Sequence, residues 1–114
     1  MKKMTEAGFN RSIAYGSSEE FFKLNGNSAM KLTPLAAKAV CIKAAQYGYY
    51  VARVEAGHWI GQGFRPDMSA TWDAKAQLIK DKNFHENDKL AVSNVVQDQH
   101  EGYEAFMITL LFKN

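Results

Sequence analysis

Only one cysteine, Cys41, occurs in 114 residues. An internal disulfide is therefore excluded, which fits a reducing compartment. Proline is almost as scarce, with Pro34 and Pro66 alone, and no Pro-, Gly- or Ser-rich stretch marks a linker. No run approaches the roughly 18 consecutive apolar residues of a membrane-spanning helix. The two lysines near the N-terminus have no secretory apolar run behind them, because Glu6, Asn10 and Arg11 interrupt it. Charge of one sign is also lacking. The net charge is +2 with basic residues spread along the chain, so composition neither demands nor forbids a polyanionic partner. These absences lead us to expect one cytoplasmic domain, residues 1–114, with no membrane partner.

Chemical signatures are missing too. His58, His85 and His100 stand at no metal-ligand spacing, so no metal site is expected. The chain holds no nucleophile motif and no phosphate-cradling loop. Gly61-Gln62-Gly63 is a fragment of a dinucleotide fingerprint, but Pro66 follows it where a helix should begin. No cofactor is expected. Nothing beside Cys41 in sequence would activate its thiol, so it reads as a small buried hydrophobe.

What the chain does have is punctuation. Thr33 and Pro34 open a helix, and Gly48 closes it after about Tyr47. That helix is apolar almost all round, rich in alanine, and suited to burial on more than one side. Before it, Ser12–Tyr15 suggests a short strand. Ser17 and Glu20 then stand at capping-box spacing ahead of a short helix carrying Phe21, Phe22 and Leu24. After it, alternation from Tyr49 predicts a β-hairpin turning at Ala56-Gly57. Tyr50, Ala52, Val54 and Ala56 would face the helix, and Tyr49, Val51, Arg53 and Glu55 would not. The returning strand, His58–Phe64, is cut off by Pro66. Met68, Trp72, Ala76 and Ile79 recur at helical spacing, while Trp72–Leu78 also alternates as a strand; the helix-forming residues there favour a helix over 68–82. Residues 83–88 read as a polar loop. Lys89–Gln97 alternates as a strand, 98–102 is a turn, and Ala105–Phe112 is apolar on both faces, as a central strand should be. The expected fold class is α+β: an antiparallel sheet of about four strands in two hairpins, with two to three helices packed on one face and the other face open.

One cluster stands out within fifteen positions: His58, Trp59, Gln62, Phe64, Arg65, Asp67 and Trp72. Tryptophan and arginine combine large contact area with directional hydrogen bonds, and they recur in interface hot spots. The bland alternative buries Trp59, Phe64 and Trp72 in the core. Three functions compete for the cluster. The first is a non-catalytic module that blocks another protein, of the general size and character of bacterial toxin-immunity proteins and phage anti-defence inhibitors. That likeness is one of class, with no motif behind it. The second binds single-stranded nucleic acid, stacking bases on the aromatics while Lys38, Lys43, Arg53, Arg65 and Lys75 meet phosphates; the near-neutral charge counts against it. The third is a small hydrolase or nuclease using His85 and His100, should their loops meet. The first ranks highest. The open sheet face could also serve a homodimer.

Overall fold

The computed structural model describes residues 9–61 and 63–113. Residues 1–8 and Gln62, one of the residues singled out in the sequence, lie outside them. The elements run β1 (Ala14–Tyr15), α1 (Ser18–Lys23), β2 (Lys31–Leu32), α2 (Pro34–Lys43), a 3-10 turn (Ala44–Tyr47), β3 (Tyr49–Ile60), β4 (Gly63–Asp73), α3 (Ala76–Lys80), α4 (Phe84–His100) and β5 (Ala105–Phe112). The fold is α+β. Its sheet has five strands in the order β1-β2-β5-β3-β4. The pairing is mixed, because β1 lies parallel to β2 while the other neighbours are antiparallel. β5 sits between β2 and β3, which explains its apolar residues on both faces.

Helix α2 is built as its sequence dictates. The Thr33 hydroxyl accepts from the Ala36 amide at 3.2 Å, Pro34 opens the first turn, and Gly48 ends the segment with φ +86°. Its buried side carries Ala36, Ala37, Val40 and Cys41. These small side chains let the backbone approach α4 and the sheet. Val54 and Ala56 of β3 pair with Ile108 and Phe106 of β5, and all four join the α2 residues in the core. The long helices therefore cover one face of the sheet. Phe21 is fully buried, and Phe22 stacks on Tyr47 with ring centres 3.9 Å apart.

Cys41 is inaccessible, and burial pushes its thiol far above its ordinary value, with the Asp88 carboxylate adding to the effect. Its reaction with a disulfide reagent at pH 8 should run at least about 100-fold slower than that of a free thiol, since the thiolate is the nucleophile. The rate should jump at the unfolding transition. Fast labelling of the native protein would contradict the packing of α2.

Four expectations need correction. The hairpin does not turn at Ala56-Gly57: β3 runs on to Ile60, and the chain reverses at Gly61 (φ +61°). The facing pattern of β3 also fails. Val51 pairs with Leu110 and Arg53 with Thr109, so Ala52 is an extra residue, a bulge that turns both Val51 and Val54 into the core. Residues 68–82 are not one helix. β4 continues to Asp73, and only Ala76–Lys80 is helical, because cross-strand pairing with β3 supplies the backbone partners that a helix would otherwise provide. Last, the polar loop at 83–88 and the strand at 89–97 are together α4. Asn83 caps it by accepting from the Glu86 amide, and its buried stripe is Asn87, Ala91, Val95 and Asp98. That stripe has helical spacing, but polar residues start and end it, so the alternating valines dominated the pattern.

Candidate functional site

β5 begins opposite Gly57. Beyond that point β3 and β4 continue alone, with Ile60 opposite Gly63, Trp59 opposite Phe64 and His58 opposite Arg65. The sheet thus ends in a two-stranded arm. Glu104, just ahead of β5, takes over the missing ladder contact: its Oε2 accepts from the Trp59 amide at 2.9 Å.

Strand alternation puts Trp59 and Phe64 on the face away from the long helices. Their rings meet edge-on, 5.9 Å between centres, and Lys31 Nζ lies 5.6 Å from the centre of the Phe64 ring. Phe64 passes over Gly57, where a side chain could not fit. A Cβ there would lie 2.2 Å from the Arg65 carbonyl oxygen and 2.8 Å from Phe64 Cζ. The glycine that reads as a turn residue is in fact the place where two strands cross closely.

His58 and Arg65 take the other face of the arm. The His58 ring stacks on Tyr103 with centres 4.9 Å apart, and its Nδ1 lies 3.5 Å from Glu104 Oε2. Next to this stack the ladder of β4 breaks. Glu55 pairs with Thr71 but Gly57 with Pro66, so residues 67–70 bulge outward. The bulge is tied at three points. Asp67 Oδ1 accepts from the Ser69 amide at 2.9 Å and from its hydroxyl at 2.7 Å, and Asp67 Oδ2 accepts from the Tyr103 hydroxyl at 2.5 Å. The Tyr103 and Ser69 donors hold the Asp67 carboxyl below the usual carboxylate range. The same bond raises the Tyr103 hydroxyl. His58, Ile60, Arg65, Pro66, Asp67 and Met68 line an open cavity of about 370 Å³. Met68 is 85% exposed and Ile60 53%.

Five of the sequence-predicted site residues, His58, Trp59, Phe64, Arg65 and Asp67, therefore come together on the arm and its bulge. They are divided between its two faces. Trp72 does not join them. It pairs with Val54 on the body of the sheet, packs half-buried against the core, and carries Lys75 Nζ 5.6 Å from its ring centre. Sequence reasoning missed Ile60, Met68, Tyr103 and Glu104. Met68 was absorbed into a helical stripe, and Tyr103 and Glu104 follow a turn with no periodicity to flag them.

The rival chemistries find little geometry. His85 and His100 sit near opposite ends of α4, about 22 Å apart at 1.5 Å per residue, so they share no site. The basic residues offered for phosphate contacts are dispersed. Arg53 is ion-paired to Asp73 at 2.7 Å, Lys43 donates to Ser18, and Lys38 lies on α2. Among the described residues no group of three His, Cys, Asp or Glu could hold a metal ion, and no helix is long and apolar enough to cross a membrane.

The structure is a small α+β domain whose distinctive feature is a projecting arm, and the proteins it is similar to place it in the class of small inhibitors, the immunity proteins. More particularly, this chain belongs to the colicin-E5 immunity protein family, whose model matches residues 30–111. It is 42% identical over 81 residues to the colicin-E5 immunity protein of Escherichia coli, an alignment covering 71% of this chain and 98% of that one. It matches the colicin-E5 immunity protein in ColE9, also from E. coli, with the same identity and coverage. It is 37% identical over 95 residues to the immunity protein CdiI of Burkholderia pseudomallei, covering 83% and 86% of the two chains. The family match spans β2 to β5 and so includes the arm, the bulge and Tyr103, while β1 and α1 fall before it.

Proposed function

We propose that this chain neutralises a bacterial toxin of the kind that colicin-E5 immunity proteins and CdiI answer, that it does so without catalysis, and that the arm is the contact surface. The observation that supports this reading most is the arm itself. It extends past the last β5 pairing, its backbone geometry is held by Glu104 and Gly57, and it presents His58, Trp59, Phe64 and Arg65 on two faces beside an exposed bulge. A preformed projection loses little conformational freedom on binding, so more of its contact energy appears as affinity.

The test is a calorimetric titration with the chain's cognate toxin domain. A Trp59→Ala/Arg65→Glu double variant should bind about 100-fold more weakly or worse, the size expected when a hot-spot aromatic and a matched charge are both lost. Lys82→Ala, on the loop after α3, should bind as the wild type does. Equal affinity of the double variant and the wild type would remove the arm from the interface. Nucleic-acid contacts are a separate outcome: binding that vanishes on nuclease treatment of the toxin sample would identify them.

A further inference from the structure

Resting on that reading of the arm, we propose that the β4 bulge is the toxin-specificity loop: Met68 inserts into an apolar pocket on the toxin, and Tyr103 is the positioning residue that holds Met68 ready.

The argument begins with a cost. Met68 is 85% exposed and stands with the 53% exposed Ile60 and with Pro66, an apolar patch left open to water at the end of the sheet. Three extra residues between the Glu55–Thr71 and Gly57–Pro66 pairs also interrupt an edge strand that could have run straight. Bulges of this kind re-aim a side chain. Here the re-aimed residue is Met68, and the neighbours on both sides are tied. Asp67 is bound by Tyr103, which comes from the loop between α4 and β5, and Ser69 is bound back to Asp67. The tie reaches across 36 residues of chain, so the loop is fastened to the body of the domain and not only to itself. Tyr103 is in turn held by its stack on His58.

The surroundings specify the occupant. Ile60 and Pro66 join Met68 on the cavity rim, which calls for apolar surface at the centre of the toxin's patch. Arg65 is exposed on the same rim and pairs with no carboxylate among the described residues. The toxin pocket should therefore carry an acidic group at its edge. A flexible unbranched side chain adapts to an irregular pocket better than a branched one would, and related toxins that differ at this pocket would be discriminated here.

The experiment measures binding kinetics of the full chain on the immobilised cognate toxin domain. Met68→Ala should weaken binding by about 30-fold, the loss of one anchoring side chain, with an unchanged melting temperature because Met68 touches no core residue. Tyr103→Phe keeps the ring on His58 but releases Asp67. It should lower affinity about 5-fold, mainly through slower association. The double variant decides the positioning role. If Tyr103 acts through Met68, the combined loss will fall short of the product of the two. Additive losses would make Tyr103 a contact of its own and overturn that half of the proposal. Wild-type affinity in Met68→Ala overturns the loop while leaving the arm intact. No binding by the wild type overturns both this inference and the functional reading beneath it.

Discussion

Gly57→Ala should destabilise the domain by about 3 kcal/mol, near the upper end of what overpacking costs, and lower its melting temperature by about 12 °C. The reason is local. The added methyl would sit 2.2 Å from the carbonyl oxygen of Arg65, a backbone atom that cannot rotate away, with Phe64 Cζ and Pro66 Cα each at 2.8 Å. The two strands must part at their crossing, just where β5 begins and the arm projects beyond it. Toxin binding should therefore fall as well, since His58, Trp59, Phe64 and Arg65 are all carried beyond that point. Gly63 provides the control. A Cβ there meets nothing within 4 Å and the backbone is not left-handed, so Gly63→Ala should change stability by less than about 1 kcal/mol. Thermal unfolding of both variants checks the pair. A Gly57→Ala protein as stable as the wild type would mean that β3 and β4 do not cross this closely.

The second large effect lies at the other end of β3. The bulge at Ala52 removes ladder partners, and α4 replaces them. Asp88 Oδ1 accepts from the Val51 amide at 2.9 Å, and the Asn87 amide nitrogen donates to the Val51 carbonyl at 2.9 Å and to Asp88 at 3.1 Å. Asn87 Oδ1 also accepts from the Lys75 amide at 2.9 Å. Among the described residues no buried side-chain polar atom lacks a partner. Asn87→Ala would orphan the Val51 carbonyl and the Lys75 amide together and should cost about 3 kcal/mol, since each buried unsatisfied group costs about 1–3 kcal/mol. Asp88→Asn behaves differently, because the amide oxygen can still accept both bonds. Burial raises the Asp88 carboxyl, outweighing the Val51 and Asn87 donors and the charges of His85 and Lys113. The folded protein then binds this proton more tightly than the unfolded chain does. Wild-type stability should fall as pH rises from the ordinary aspartate value, about 4, to the raised native value. Asp98 is raised by burial too, so the informative quantity is the difference between wild type and Asp88→Asn across that range. The two should converge toward low pH, with Asp88→Asn equal or more stable at pH 7. An Asp88→Asn protein several kcal/mol less stable at pH 7 would mean that the charge itself holds the bulge.

Much of this was legible from the residues. The helix capped by Thr33 and Pro34, the short helix with Phe21 and the central last strand are written in local signals: a cap, a left-handed glycine, a run apolar on both faces. An inhibitor acting by surface contact ranked first among three readings, on a cluster of residue types that recur at interfaces. No short motif among the residues pointed to the family.

The sequence by itself determined the α+β class and the burial of α2, and it picked out the stretch that carries the proposed contact surface, since each depends on periodicity and residue type within a dozen positions. Only the tertiary structure decided where the strands end, that residues 84–100 are one helix, and which aromatics share the arm. Those outcomes hang on partners far along the chain. Asn87 and Asp88 stabilise a bulge 36 and 37 residues away, Glu104 completes the backbone of Trp59, and Tyr103 fixes the loop that presents Met68. A hydrogen bond between residues so distant leaves no periodic trace in the sequence that makes it.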